Sequence, residues 1–174
     1  SGSIARDLAL SILAGGVKPG ELLEGEVGAC SRLKVSRTAY REAMRMLVAK
    51  GFVASRQRAG TRVTSSEQWH WLDPDVVGWL LEVQRGPRIL ASIFELRRAI
   101  EPCAAGLAAE RRSEHQLQAM RRALAGIYLL PTAAAMLSQR EFRALMFESS
   151  TNFFFLEMGG TVELYSGPQG TTLL

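Results

Sequence analysis

The residues from Ser36 to Leu47 constrain this chain more than any others. Tyr40, Ala43, Met44 and Leu47 recur at i, i+3, i+4 and i+7, the spacing that lays one apolar stripe along an α-helix. Ser36 stands just ahead of them, where a hydroxyl can cap the first free N–H groups. Thr38, Arg41 and Arg45 fall on the opposite side, and Arg37 lies one step round from them near the N-terminus. A helix divided in this way packs on one face and offers hydroxyl and guanidinium groups to something outside the fold on the other.

The surrounding charge has one sign. Between Ser31 and Arg62 the basic residues are Arg32, Lys34, Arg37, Arg41, Arg45, Lys50, Arg56, Arg58 and Arg62, and the acidic residue is Glu42. That segment carries +8 in a chain whose total is +4, which leaves −4 for the remainder. A basic module joined to a mildly acidic one is the asymmetry expected when only one part meets a polyanion.

The elements around this helix follow from periodicity and turn chemistry. Ile4, Leu8 and Ile12 predict a first helix from about Ile4 to Ala14, ended by Gly15-Gly16 and followed by a turn at Val17-Lys18-Pro19-Gly20. A short second helix is predicted from about Glu24 to Leu33, with Val27, Cys30 and Leu33 inward, and the connection at Lys34-Val35 makes a helix-turn-helix with the third. Gly51 ends the third helix. Two extended stretches follow, Phe52 to Ser55 and Thr61 to Thr64, joined by the basic tip Arg56-Gln57-Arg58-Ala59-Gly60, which is the pattern of a β-hairpin wing.

Composition shifts at Ser65-Ser66-Glu67-Gln68, a linker that divides the chain into a domain over 1–66 and a second over 67–174. In the second, Trp69, Trp71 and Trp79 surround Asp73-Pro74, which caps and begins a helix reaching about Val83. Further helices are predicted from Pro87 to Glu110, with Ile89, Ile93, Leu96, Ile100 and Leu107 inward; from Ser113 to Leu130, capped by Ser113 with Gln116 three residues on; from Ala133 to Ser149; and from near Asn152. The tryptophans and the run Phe153-Phe154-Phe155 read first as packing or interface residues. No strand pattern follows the wing. The fold class is therefore mainly α, a winged helix-turn-helix of three helices and a hairpin followed by an all-helical bundle.

A chain of 174 residues, 47% hydrophobic, suffices for one large or two small domains. No apolar run approaches the roughly 20 residues of a membrane span, and Ser1-Gly2-Ser3 lacks the pattern of a secretory signal, so the expected location is cytoplasmic. Cys30 and Cys103 lie in apolar helical contexts and read as reduced, buried thiols. Catalysis is not expected, because no nucleophile–base pair, phosphate loop or cluster of metal ligands is evident.

The motif Val35-Ser36-Arg37-Thr38-Ala39-Tyr40-Arg41-Glu42-Ala43-Met44-Arg45-Met46-Leu47, with Lys50-Gly51 and Gly60-Thr61-Arg62-Val63 after it, resembles the GntR family of winged-helix transcriptional regulators. The resemblance covers residues 4–64. Downstream, Glu95 to Pro102 and Ala108 to Arg111 are similar to the early helices of the FCD effector domain of the FadR-type subgroup, and Trp69 to Leu80 is similar to the regulators of galactonate and related sugar-acid operons. Membership of that kind implies a double-stranded DNA operator as partner, a homodimer made largely by the helical domain, a repressor's role, and a small carboxylate effector such as a sugar acid. An effector-blind chain that only dimerises or binds DNA is the alternative.

On that resemblance, Arg37 and Arg41 are candidates to read bases, since a guanidinium can pair with both O6 and N7 of guanine; a salt-bridged surface role is the competing reading. Ser36 and Thr38 suit phosphate or sugar, Arg45 suits a phosphate or Glu42, and Arg56, Arg58 and Gly60 at the wing tip suit the minor groove. Arg97, Arg143 and Asn152 are the effector-site candidates, Arg97 having Glu101 one turn on as its alternative partner. The subgroup usually holds a divalent metal through an Asp-x-x-x-His pair. Gln139 and Arg143 occupy those positions here, and His70 and His115 are the only histidines, so no metal cofactor is expected. The subgroup also continues for several more helices, so the effector bundle reads as shortened. Lys34 stands where the family often has glycine, which implies strain if that residue takes a positive φ.

Overall fold

The computed structural model describes residues 2–56, 59–83 and 87–163. The chain forms two compact units, 1–85 and 86–174. The first contains α1 (Gly2–Leu13), α2 (Glu26–Leu33), α3 (Arg37–Ala49), β1 (Val53–Arg56), β2 (Gly60–Val63), one 3₁₀ turn (Ser66–Gln68) and α4 (Pro74–Val83). The strands pair antiparallel, Val53 opposite Val63 and Arg56 opposite Gly60. Leu22 adds a single bridge beyond β2 by pairing with Arg62. This is a winged helix-turn-helix, as the sequence predicts.

The apolar stripe of α3 behaves as its spacing requires: Tyr40, Ala43 and Leu47 are buried, and Leu47 and Ala43 join Ala5, Ala9 and Ile12 of α1 in one core. Phe52 lies at its centre with no exposed surface. Trp69 stacks on it at 4.7 Å between ring centroids, and Trp79 meets it edge-on at 6.1 Å. The indole N–H of Trp69 donates to Thr64 Oγ1 at 3.0 Å, so its polar edge is satisfied while its face is buried. At Gly51, φ is +79°, and an added Cβ would collide with the carbonyl of Gln68; the backbone can pass here only without a side chain.

Three expectations change. The boundary after residue 66 moves, because Trp69, Val76 and Trp79 belong to the first unit's core: the polar run at 65–68 marks a turn, and the aromatic residues beyond it fold back onto Phe52. In α2 the buried residue is Ala29, while Val27 and Leu33 are exposed and Cys30 is half-buried. Trp71 is exposed, its N–H donating to the Ser66 carbonyl.

Lys50 ties the end of α3 to the start of α4. Its Nζ lies 2.7 Å and 2.8 Å from the two Asp73 oxygens and 2.7 Å from Asp75 Oδ2, above the Trp79 ring. Asp73 also caps α4, accepting from the N–H groups of Asp75 and Val76.

The second unit is helical throughout its described residues: α5 (Pro87–Arg111), α6 (Glu114–Leu129), α7 (Thr132–Ser149) and α8 (Phe153–Glu163). Ile100, Ala104 and Ala108 of α5 meet Met120 of α6 and Met146 and Phe147 of α7. Ser113 and Gln116 form the capping box that their spacing announces. Two side-chain expectations fail here. Phe153 and Phe154 are exposed, and only Phe155 joins the core, because three consecutive helical residues point in three directions. Cys103 is exposed; both cysteines are free thiols.

Two predictions follow from this geometry. Lys34 takes φ 53° and ψ 45°, so Lys34→Gly is expected to stabilise the chain by about 1 kcal/mol in urea unfolding; an unchanged or lower midpoint counts against strain there. Burial opposes the charge of Lys50, but hydrogen bonds to Asp73 and Asp75 outweigh it and raise its pKa. A raised lysine stabilises fully below its unfolded pKa and loses that contribution as pH climbs through the folded value. The stability gap between wild type and Lys50→Met should therefore hold at neutral pH and narrow above about pH 10.4.

Candidate nucleic-acid interface and anion site

The turn between α2 and α3 is built by backbone hydrogen bonds. Lys34 closes α2 in the left-handed conformation, and the N–H of Val35 donates to the Cys30 carbonyl at 3.1 Å. Ser36 is then extended, and its Oγ accepts from the Ala39 N–H at 3.1 Å. The hydroxyl oxygen of Ser36 thus holds the helix start. Tyr40 reaches back across the turn, its hydroxyl donating to the Glu24 carbonyl at 3.3 Å, so α2 and α3 are fixed to each other at their N-terminal ends.

On this frame Arg37, Thr38, Arg41 and Arg45 are all exposed. Their side chains differ in what holds them. Among the described residues Arg37 has no ion-pair partner, whereas Arg45 pairs with Glu42 on its own helix at 3.3 Å. Arg41 donates from Nε to Glu26 Oε2 at 2.9 Å. The hydrogen bond between them lowers the Glu26 pKa, helped by the charges of Arg41 and Arg37, and the same bond with the Glu26 charge raises that of Arg41. Glu26 was not anticipated from the sequence, which gives no sign that a residue of α2 would meet α3 at that point. A parallel pair, Arg32 to Glu24 at 2.8 Å, flanks it.

The wing stands beside this helix. Ser55, Gly60 and Thr61 of the hairpin, Arg41, Met44 and Arg45 of α3 and the segment 22–26 all line one open groove of about 470 Å³. Arg56 and Gly60 are opposite each other at the hairpin end, where Gly60 has φ +79°. Arg58 lies outside the described residues. The unit therefore places a row of exposed cations along a helix next to a short hairpin ending in Arg56, a shape and charge that fit a duplex groove and its phosphates.

In the second unit, Arg97 donates from Nε to Glu101 Oε1 at 2.7 Å and lies over the Phe94 ring. Arg143 is buried, with Nε 3.8 Å from the same Glu101 oxygen. Two guanidinium groups thus share one carboxylate. Asn152 is not part of that group's contacts; its side-chain oxygen accepts from the N–H groups of Phe154 and Phe155 and caps α8. A divalent cation does not fit the Gln139 and Arg143 positions, since Arg143 brings a positive charge to where a ligand would have to be. Among the described residues no three His, Cys, Asp or Glu side chains come together as a metal site, and no helix is long and apolar enough to cross a membrane.

Comparison with known proteins agrees with this layout. Residues 1–63 match the family described as bacterial regulatory proteins, gntR family, and residues 92–166 match the FCD domain. The uncharacterized HTH-type transcriptional regulator YieP of Escherichia coli K12 is 39% identical over 106 residues, 61% of this chain and 46% of that protein. The galactonate operon transcriptional repressor of the same organism is 35% identical over 117 residues, 67% of this chain and 51% of that protein. The chain thus spans about half the length of the curated relatives it matches. Among solved structures, Streptococcus agalactiae GntR is similar at 26% identity with a TM-score of 0.45, covering 93% of this chain and 80% of that one.

Glu101 is a carboxylate that both Arg97 and Arg143 approach. Glu101→Ala removes a carboxylate that both guanidinium groups approach and should cost about 2 kcal/mol, and adding Arg143→Leu should recover part of it. Chemical denaturation of both variants checks this. Equal stability of Glu101→Ala and wild type would mean the cluster is open to water.

Proposed function

The chain belongs to the GntR family of bacterial regulatory proteins, with an FCD domain after its winged helix, and from that premise we propose that it is a sequence-specific DNA-binding transcriptional regulator. The observation that carries this reading is the exposed row Arg37, Thr38, Arg41 and Arg45 on α3, set beside the wing and fixed by a capped helix start. In the proposed complex α3 enters the major groove. Arg37 and Arg41, nearest its N-terminus, read guanine edges, and Thr38 and the free N–H groups behind Ser36 meet phosphates. Arg45 neutralises a phosphate in exchange for Glu42. Arg56, with Arg58 and Gly60, approaches the minor groove from the wing.

We further assign the protein the role of a homodimeric repressor released by a small carboxylate, a sugar acid being the favoured class. A two-fold pair of reading helices on a two-fold site is the usual geometry for this module, and the similarity to a galactonate operon repressor supports the effector class. The Arg97 and Arg143 guanidinium groups, brought together on Glu101, are the proposed anchor for the effector's carboxylate, and Asn152, which caps α8, is a further candidate polar group. Arginine at the position of a family metal ligand supports a site that works without metal. The competing reading, constitutive binding without an effector, is favoured by Glu101 already occupying both arginines.

DNA binding is tested with a duplex selected by the full chain from a randomised library. Arg37→Ala and Arg41→Ala should each lose about 1–3 kcal/mol of discrimination against single-base variants, while Arg56→Ala should weaken all sequences alike and reduce the salt dependence. Unaltered sequence preference in both α3 variants would sink the base-reading assignment. Thermal shift with a panel of sugar acids, repeated on Arg97→Ala, separates the effector-responsive protein from the constitutive one.

A further inference from the structure

We propose that Glu26 is a positioning residue for DNA reading: from the first turn of α2 it grips the Nε edge of Arg41 and presents the guanidinium end-on to a guanine. The inference rests on the base-reading role assigned above to α3. Three observations carry it. The contact is a 2.9 Å hydrogen bond between elements, from α3 to α2. Its acceptor is the better held partner, since the Glu26 side chain is 30% exposed and that of Arg41 is 64% exposed. And the bond engages Nε alone, which leaves the Nη1 and Nη2 edge of Arg41 facing away from Glu26 and available for two parallel bonds to O6 and N7.

The other exposed cations of α3 lack this arrangement. Arg45 pairs within its own helix to a Glu42 side chain that is itself half exposed, so the pair can swing as one. Arg37 has no ion-pair partner among the described residues. Arg41 is therefore the one whose direction is set before DNA arrives. Arginine is rich in rotamers, and fixing it beforehand removes part of the ordering cost of binding. The arrangement has an opposite cost, because a carboxylate close to the groove repels phosphates. Glu26 should consequently lower affinity for any duplex while raising the difference between right and wrong sequences. These two effects pull apart in an experiment.

The full chain is titrated at one fixed salt concentration with the duplex it selects from a randomised library, with that duplex carrying single replacements of each guanine, and with a scrambled duplex. Glu26→Ala should bind the scrambled duplex more tightly than wild type yet lose about tenfold in discrimination at one guanine, a change within the range of one bidentate contact. The affected guanine should be the one that Arg41→Ala also loses. Glu26→Gln keeps an oxygen to accept from Nε and removes the charge, so it should gain the same non-specific affinity and keep its discrimination. In the double variant, Glu26→Ala should take nothing further from the discrimination left by Arg41→Ala. The proposal is overturned if Glu26→Ala tightens all duplexes equally, which is the behaviour of a merely repulsive carboxylate, or if its loss of discrimination persists in the absence of Arg41. Full discrimination in Arg41→Ala would instead remove the base-reading assignment on which the proposal stands.

Discussion

The ring of Phe52 is where α3, the wing and α4 meet. It follows the end of α3 across Lys50 and Gly51, begins the path into β1, and is stacked on by Trp69 and met edge-on by Trp79. Each of those three elements would otherwise be short, and a four-residue hairpin is marginal alone. Stacked on a shared aromatic centre they define one rigid body, and the direction of α3 relative to the wing follows from it. The Lys50 cluster works at the same seam. Its cation closes α3 and joins the two aspartates at the start of α4, so the apolar contact beneath and the ionic contact above hold the same pair of elements.

The parts of this fold that could be read from sequence are those decided by neighbours within four residues. Ser36 and Ser113 cap their helices because the hydroxyl and the free N–H groups lie three residues apart. Asp73-Pro74 starts α4 for the same reason. The stripe Tyr40, Ala43 and Leu47 needs only the helical repeat. Where a partner lies far along the chain, the reading goes astray. The inward face of α2 depends on what α3 presents to it, and the side chain selected is Ala29 rather than the larger Val27 or Leu33. The end of the first unit depends on a tryptophan crossing a polar linker to find Phe52. Phe153 and Phe154 look like core by composition, yet α8 turns them outward.

The same rule separates the legible from the hidden in the candidate sites. Arg45 with Glu42 and Arg97 with Glu101 are visible as helical spacings of three and four. Glu26 with Arg41 is 15 residues apart and Lys50 with Asp73 is 23, so neither pair announces itself. The helix-turn-helix connection brings the first turn of α2 beside the second turn of α3, and only then does an acid ahead of the turn become a partner for a base beyond it. Arg143 was singled out by resemblance as a departure from a metal-binding pattern; that it turns toward Glu101 needed the packing of α7 on α5.

Cation and carboxylate meet in both units, and the surroundings give the two encounters different consequences. On α3 the pairs are exposed, water screens them, and each is worth little to stability. In the proposed DNA complex that weakness is useful, because Glu42 would release Arg45 to a phosphate at small cost. In the second unit Arg143 is nearly excluded from water and Arg97 is mostly covered, so the charges attract strongly and their desolvation is costly. Glu101 stands between the two guanidinium groups and is approached by both. The buried cluster and the exposed row thus differ in what it costs to part a cation from its carboxylate.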